Sequence, residues 1–260
     1  MKEEASKINS AITQPIGHNK IVNESDWVIQ RKQLLAKEKE LLHLKDEVNK
    51  LRRALPWVKV EKPYTFDGPD GKVSLADLFD CRSQLIVQHF MFGPGWEEGC
   101  VGCSYLADHV DCARRHFEHA DVSFVTVSRA PYAEFAPFKK RMGWTFNWVS
   151  SNESDFNFDY HVSFTPEEKE KGEVYYNYEM GKYFLEELHG VSVFYKDENG
   201  DIFHTYSTYA RGGEPLLGTL AFLDLVPKGR NETDENGKPI DWLRHHDKYE
   251  DTATNHCCCG

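Results

Sequence analysis

Two cysteines three residues apart stand where a strand-like segment gives way to a helix-like one. Cys100 and Cys103 follow the apolar run of residues 85–92 and precede a helical pattern that starts near residue 104. The first turn of a helix presents unpaired N–H groups and a partial positive charge, which stabilise a thiolate and lower its pKa. A thiolate attacks disulfides, and a second cysteine one turn on can resolve the mixed disulfide. The motif therefore predicts thiol–disulfide exchange, with Cys100 attacking and Cys103 resolving.

The same pair of cysteines allows two other interpretations. They could be buried or idle thiols, or they could be two ligands of a metal ion. Zinc usually requires four ligands, and the chain offers further cysteines in close spacing only at its end, with His256 and Cys257–Cys259. The carboxylates of Glu97 and Glu98 disfavour a thiolate nearby, so a lowered pKa must come from the helix terminus. A non-catalytic ligand-binding or metal-binding protein is the alternative to an oxidoreductase, and no metal ligand or cofactor is assigned.

Composition and charge restrict the class of protein. The chain has 260 residues, of which 40% are hydrophobic and 28% charged, as in ordinary globular proteins. Its net charge of −11 argues against nucleic acid as a partner. It has no apolar run of transmembrane length and no secretory signal at its start, so we expect no transmembrane segment and a cytoplasmic location. The odd count of seven cysteines also argues against a secreted disulfide scaffold.

The first part of the chain divides into a leader and a long helix. Residues 1–22 show no sustained periodicity and are predicted to be a flexible leader. Residues 23–55 are predicted to form an amphipathic helix that Ser25 or Asp26 caps and Pro56 ends. Its apolar residues recur every seven positions, at Trp27, Leu34, Leu41, Val48 and Leu55. We favour packing of this line against the chain's own globular part, with a homodimer through residues 25–55 as the other outlet.

The remainder of the chain alternates strand-like and helix-like segments, which is typical of an α/β fold with a mixed sheet flanked by helices. This domain is predicted to cover residues 56–228, with an insertion near 165–189. A polar C-terminal extension with a cysteine-rich tail follows at 229–260. Strands are expected at 85–92, 122–127 and 146–149, helices at 104–119 and 132–142, and a hairpin at 191–196 and 202–206.

Several further residues are candidates for binding a substrate. Arg129 follows a buried strand, and the carboxyl edge of a sheet is where α/β folds place their ligands. Alternation along a strand would put His204 and Tyr206 on one face, which is either a site wall or a polar sheet surface. His89 lies within a strand, where a hydrogen-bonded core histidine is favoured over a catalytic one. The predicted substrate-binding residues are Trp96, Arg129, His204, Tyr206 and Arg211.

Five segments carry a resemblance to a known family. They are ALPWVKVEKPYTFDGPDGKVSLADLF, QLIVQHFMFGPGWEEGCVGCSYLAD, VSFVTVSRAPYAEFAPFKKRMGWTFNWVSS, DFNFDYHVSFTPEE and FHTYSTYARG. Together they resemble the DUF899 family over roughly residues 25–250. The resemblance implies a thioredoxin-like fold and a dithiol–disulfide oxidoreductase that uses Cys100 and Cys103. It also implies an unidentified thiol or disulfide substrate and an external reductant, and a peroxide-reducing variant would use the same first cysteine.

One departure from ordinary thioredoxins concerns the strand that begins near Gly190. Thioredoxins place a cis proline beside the active site there, and residues 190–193 contain none. Because that proline helps to position a substrate and to exclude metal, its absence favours metal binding, or a redox role other than general disulfide reduction.

Overall fold

A computed structural model describes residues 19–232 and 242–249 of the chain. It divides into two compact units, of which the first contains the residues up to Leu55 together with Phe222–Asn231. The second contains Pro56–Ala221 and the residues from Glu232 onward. The cysteine-rich tail and nearly all of the predicted leader lie outside the described residues.

The first unit is dominated by the long helix α1, Glu24–Arg53. The side chain of Asn23 caps it by accepting a 2.9 Å hydrogen bond from the N–H of Asp26, so the cap lies two residues before the predicted Ser25. The helix contains no buried residue. Packing of its apolar line against the globular part and dimerisation through this helix both stay predictions.

The second unit is built on an eight-stranded sheet with the order β1-β10-β9-β4-β5-β6-β2-β3. Its strands are β1 (Val58–Lys59), β2 (Thr65–Gly68), β3 (Gly71–Ser74), β4 (Gln84–His89), β5 (Val122–Ser128), β6 (Asn147–Ser150), β9 (Gly190–Lys196) and β10 (Ile202–Tyr209). The predicted strands are all present, and their bounds differ from the prediction by a few residues.

The centre of the sheet has the connectivity of a thioredoxin-like domain. Strand β4 pairs in parallel with β5, and helix α2, Val101–His119, connects the two along the chain. Strand β5 pairs in parallel with β6, and helix α3, Tyr132–Arg141, connects these two. On the other side of β4, the hairpin of β9 and β10 runs antiparallel to it. The expected mixed α/β fold with a long N-terminal helix is thus confirmed.

Strand alternation divides the side chains of β4 between two cores. Leu85 and Val87 lie in a core with Phe66, Val127 and Phe194 on one face of the sheet. Phe90, Cys103 and the aromatic residues of α3 and β6 form a second core, which includes the fully buried Trp148. Helix α2 packs on β5 within this second core, so the cysteine motif lies on the same face as Trp148.

The predicted insertion contains short elements of its own. A short helix α4, Phe156–Asp159, precedes it. Helix α5, Pro166–Glu170, begins with a capping box between Thr165 and Glu168. Strands β7 (Val174–Tyr176) and β8 (Glu179–Gly181) form a separate hairpin. Near the end of the chain, a 3-10 helix at Ala210–Leu216 leads to α6, Gly218–Leu223, and another 3-10 helix covers His246–Lys248. No helix among the described residues is long and apolar enough to cross a membrane.

Candidate active site

The cysteine motif sits where the loop after β4 turns into α2. Cys100 is the N-cap of α2, and its N–H donates to the carbonyl of Met91 at 3.1 Å, which ties the loop back to the end of β4. Gly99 has to be small, because a Cβ there would come within 2.5 Å of the Phe90 ring. The loop therefore holds Cys100 against the first turn of the helix, as the sequence motif predicts.

The sulfur of Cys100 is surrounded by hydrogen-bond donors. The N–H of Cys103 donates to Cys100 Sγ at 3.5 Å, and the Cys103 thiol points to the same sulfur. The hydrogen bond from the Cys103 thiol lowers the pKa of Cys100 to about 6, helped by the N–H groups of Cys103 and Gly102 and opposed by burial. The sequence predicted the contribution of the helix terminus and missed that of the second thiol. At neutral pH Cys100 is a thiolate.

Cys103 has the opposite character. It is 4% exposed, and burial, followed by the neighbouring Cys100, raises its pKa well above the usual value of a thiol. The N–H of Met91 donates to its sulfur at 3.4 Å, and Gln88 Nε2 donates to its carbonyl at 2.9 Å. Cys100 is thus partly exposed with a lowered pKa, and Cys103 is buried with a raised pKa. This division of roles suits an attacking and a resolving thiol.

Cys100 opens into a cavity of about 380 Å³. Its walls are mostly apolar side chains from α2, from the segment 217–220 and from the end of the described chain. They include Leu106, Leu217, Leu220, Trp242 and Leu243. The polar part of the lining includes Gln88, His89, Tyr105, His189, Arg211, Glu214 and Glu232. The volume is within the range of small-molecule sites, and a nucleophilic sulfur is part of its wall.

The segment 242–249 is fastened to the loop that precedes Cys100. His245 Nε2 lies 2.9 Å from the carbonyl oxygen of Gly99, and Lys248 Nζ binds Glu98 at 2.6 Å. Arg141 bridges to Asp247 at 2.9 Å and also pairs with Glu98. The hydrogen bonds from Lys248 and then Arg141 lower the pKa of Glu98. Glu98 is thereby neutralised by two cations, which weakens the repulsion of the thiolate that the sequence implied.

Of the predicted substrate-binding residues, Arg211 is the one that lines this cavity among the described residues. Its guanidinium pairs with Glu214 at 2.8 Å. Arg129 binds Glu187, a carboxylate that is 1% exposed and also accepts from Ser163 at 2.5 Å. Trp96 packs on the edge of the second core and against Gly93. Arg129 and Trp96 thus make structural contacts beside the loop, outside the lining of the cavity.

His204 and Tyr206 also lie outside that lining. The register of β9 and β10 shifts between these two residues, so the simple alternation assumed from the sequence does not hold. His204 contacts Tyr160 edge-on and Phe194 at a tilt, on the face opposite the cysteines, and lines a second cavity with several tyrosines. Its Nε2 lies 2.7 Å from Ser207 Oγ. Tyr206 is half-buried opposite Val193 of β9.

His89 is a core histidine, as the sequence favoured. It is 1% exposed, its Nε2 lies 2.8 Å from Ser192 Oγ, and its ring stacks on Phe156 and Tyr160. Burial, followed by repulsion from His204, lowers the pKa of His89 to about 3. The imidazole is therefore neutral at physiological pH and contributes packing and hydrogen bonding to the sheet.

Sequence reasoning missed several residues of the cysteine cavity. His189 precedes β9, whose first residue Gly190 pairs with His89 at the end of β4, so it lies beside the cysteine loop. The sequence offered one signal for this position, because thioredoxins place a proline beside the active site where this chain has none in residues 190–193. Trp242 and Leu243 come from a segment 140 residues away, and no local pattern marks them. Within the described residues, no cluster of three or more His, Cys, Asp and Glu side chains is arranged to hold a metal ion.

Comparison with known proteins gives a family and a set of structural neighbours. The model of the family described as "Bacterial protein of unknown function (DUF899)" matches residues 16–249. No curated protein matches the chain. Among solved structures, the peroxidoxin BcpB of Mycobacterium tuberculosis is 14% identical, with 65% of this chain and 97% of that chain covered and a TM-score of 0.40.

Two other solved structures are similar at the same level. Peroxiredoxin Q of Xanthomonas campestris is 13% identical, with 66% of this chain and 98% of that chain covered and a TM-score of 0.41. Thioredoxin peroxidase I of Plasmodium yoelii is 16% identical, with 65% and 88% covered and a TM-score of 0.37.

Proposed function

The chain belongs to the DUF899 family, and on this premise we propose that it is a thioredoxin-like thiol–disulfide oxidoreductase. Cys100 is its attacking thiolate and Cys103 its resolving thiol. The proposal is supported by one observation above all, the arrangement of donors around Cys100 Sγ. Two backbone N–H groups of the first helical turn and the Cys103 thiol stabilise the anion, although burial works against it.

The reaction balances with these two residues. The Cys100 thiolate attacks one sulfur of a substrate disulfide, whose S–S bond breaks, and the first substrate thiolate leaves and takes up a proton. Cys103 then loses its proton and attacks Cys100 Sγ, so that the second substrate thiol is released. The substrate disulfide gains two electrons, and Cys100 and Cys103 become a disulfide. An external dithiol returns the pair to the reduced form.

The raised pKa of Cys103 gives the order of events. While Cys100 is a thiolate, the buried Cys103 keeps its proton and donates a hydrogen bond. Burial, the largest cause of the raised pKa of Cys103, persists once Cys100 has formed a mixed disulfide, but the part of the rise that comes from the Cys100 thiolate is relieved. Deprotonation of Cys103 therefore becomes easier only after the first step, which favours resolution over idle attack.

A redox titration tests the proposal. Purified protein is equilibrated in thiol–disulfide buffers of defined potential, and alkylated peptides are analysed by mass spectrometry. We expect a reversible Cys100–Cys103 disulfide with a midpoint between roughly −300 and −120 mV, the range of known oxidoreductases. Cys100→Ser is the control that removes the transition, and Cys112→Ser, a change at an exposed cysteine of α2, should leave the midpoint unchanged.

Two outcomes of the redox titration would contradict the proposal. If Cys100 and Cys103 never pair at any potential, or if the purified protein carries a stoichiometric metal on them, the oxidoreductase proposal is wrong. The chain would then be a ligand-binding or metal-binding protein with the same fold.

A further inference from the structure

The cavity beside Cys100 favours ligands whose size and polarity match its lining. Its volume of about 380 Å³ is large enough for a small organic molecule and too small for a folded chain. Leu106, Leu217, Leu220, Trp242 and Leu243 make the lining largely apolar. Contact with such walls stabilises a ligand in proportion to the apolar area that it removes from water.

Among the described residues, negative charge exceeds positive charge in the lining, which contains one arginine, Arg211, and two carboxylates, Glu214 and Glu232. The guanidinium of Arg211 is paired with the carboxylate of Glu214 at 2.8 Å, so the lining does not present an unbalanced cation to a carboxylate of the substrate. Glu232 adds a negative charge to the wall. Burial lowers the pKa of His189, which keeps this imidazole neutral. A substrate with several carboxylates therefore finds no net attraction here, whereas an uncharged substrate is not repelled.

Access to Cys100 is restricted by the end of the described chain. Trp242 and Leu243 line the cavity, and the residues that follow them are fixed to the loop before Cys100 by the contacts of His245 with Gly99 and of Lys248 with Glu98. Cys100 itself is only partly exposed. A disulfide within a folded protein would have to displace this segment, whereas a small molecule would not.

We propose that the substrate of the Cys100–Cys103 pair is a small organic disulfide that carries an uncharged apolar group on at least one of its sulfurs. The apolar group packs against Leu217, Leu220 and Trp242 while Cys100 Sγ attacks the sulfur next to it. This inference rests on the proposed function. The attack forms a Cys100–sulfur bond and breaks the substrate S–S bond, and Cys103 then releases the bound half as a free thiol while the pair is oxidised.

Rates with matched disulfides test the inference. Dibenzyl disulfide and bis(2-hydroxyethyl) disulfide release thiols of similar basicity and differ in their apolar groups, and insulin supplies a protein disulfide. The reduced protein is mixed with each probe, quenched by alkylation at set times, and the Cys100–Cys103 disulfide is measured by mass spectrometry. Each rate constant is divided by that of N-acetylcysteine with the same probe, which removes differences in intrinsic reactivity. We expect a normalised preference for dibenzyl disulfide of about tenfold or more.

Variants of the cavity wall locate the preference. Leu217→Trp narrows the cavity from a half-buried position, and we expect the rate with dibenzyl disulfide to fall about tenfold and the rate with bis(2-hydroxyethyl) disulfide to change less than about twofold. Leu243→Ser makes the wall polar without filling it and should lower the first rate several-fold. Leu216→Trp is the matched control, because Leu216 is 47% exposed and outside the lining of the cavity, so neither rate should change.

The outcomes separate this inference from the proposed function. If the pair forms its disulfide with every probe but shows no preference for dibenzyl disulfide, or reacts fastest with insulin, the apolar substrate class is refuted and the oxidoreductase stands. The substrate class is also refuted if Leu217→Trp and Leu216→Trp have the same effect. If no probe produces the Cys100–Cys103 disulfide, the proposed function itself fails.

Discussion

Two cavities of the same volume, about 380 Å³ each, lie on opposite faces of the sheet. The cavity of Cys100 is mostly apolar. The second cavity is lined by tyrosines, by His161 and His204 and by charged residues such as Lys62 and Asp159. On side-chain types alone, the second cavity has the larger number of groups that can take part in acid–base chemistry.

The pKa values of these groups reverse that ranking. Burial raises the pKa of Tyr178 to about 12 and raises that of Tyr160 further, so both phenols stay protonated. Burial also lowers the pKa of His204. Cys100 is half-buried too, yet its pKa falls to about 6. The difference is that donors of the first turn of α2 and the second thiol converge on one sulfur. A cavity becomes reactive through donors aimed at an atom, and not through the number of titratable groups in its walls.

The largest expected effect comes from removing the second thiol as a donor. In Cys103→Ala the pKa of Cys100 should rise from about 6 toward the usual thiol value of about 8.5. The thiolate fraction of Cys100 at pH 6 would then fall roughly a hundredfold. The measurement is the pH dependence of alkylation of the Cys100 peptide. Cys103→Ser keeps a hydroxyl donor and should raise the pKa less, and equal shifts in both variants would contradict the role given to this hydrogen bond.

A steric change in the cysteine loop should have the next largest effect. Gly99→Ala places a Cβ within 2.5 Å of the Phe90 ring, and we expect a loss of about 1 to 3 kcal/mol in the free energy of unfolding. Gly102→Ala is the matched control, because its Cβ would meet only Cys100 Sγ, at 3.8 Å, within an exposed helical turn. That change should alter the stability by less than about 1 kcal/mol. Denaturant unfolding compares the two, and equal losses would show that the loop is not packed as described.

The buried His89 should make the stability of the protein depend on pH. His89 has a pKa of about 3 in the folded protein and about 6.5 when unfolded, so its contribution is complete above pH 6.5 and is lost as the pH falls toward 3. Between pH 7 and pH 5 the wild type should lose about 2 kcal/mol more than His89→Asn. Denaturant titrations of both proteins at both pH values give this difference. His204 is present in both proteins and largely cancels, and an equal loss in both would show that His89 is not buried as a neutral ring.

The smallest expected effect is the one that sets the two faces apart most directly. His204→Ala removes a polar group of the second cavity and leaves the surroundings of Cys100 unchanged. The rate of disulfide exchange at Cys100 should therefore stay within about twofold of the wild type. If the exchange rate falls tenfold or more in a variant that retains its circular dichroism spectrum, the two faces of the sheet are coupled and do not act independently.

Much of the fold follows from patterns that the sequence displays locally. The apolar run before Cys100 predicts β4, the spacing of apolar residues after it predicts α2, and Asp197 to Gly200 predicts the turn between β9 and β10. These features depend on propensity and periodicity within about ten residues, which a single sequence contains. The attacking role of Cys100 was predicted for the same reason, because a C-x-x-C at a helix start is a local signal.

The assignment of substrate-binding residues from the sequence shows where local reasoning fails. His204 was placed by simple alternation, and a register shift in β10 with the packing of Tyr160 puts it on the far face. Arg129 was predicted to bind a ligand because it follows a strand end, where many α/β folds place their ligands. In the structure its guanidinium forms an ion pair with the buried Glu187. Neither the bulge nor the ion pair has a signature in the sequence near the residue concerned.

The sequence by itself determined the long N-terminal helix, the central elements from β4 to β6, the β9–β10 hairpin and the position of the two thiols at a helix start, since these depend on neighbours along the chain. It did not predict β1, β2 or β3. The tertiary structure decided which thiol is buried, which residues line the cavity in front of Cys100, and on which face each histidine lies. Those properties arise from contacts between residues that are distant in sequence, such as His245 with Gly99. The free energy of such contacts depends on distance and burial in three dimensions, and no periodicity along the chain records it.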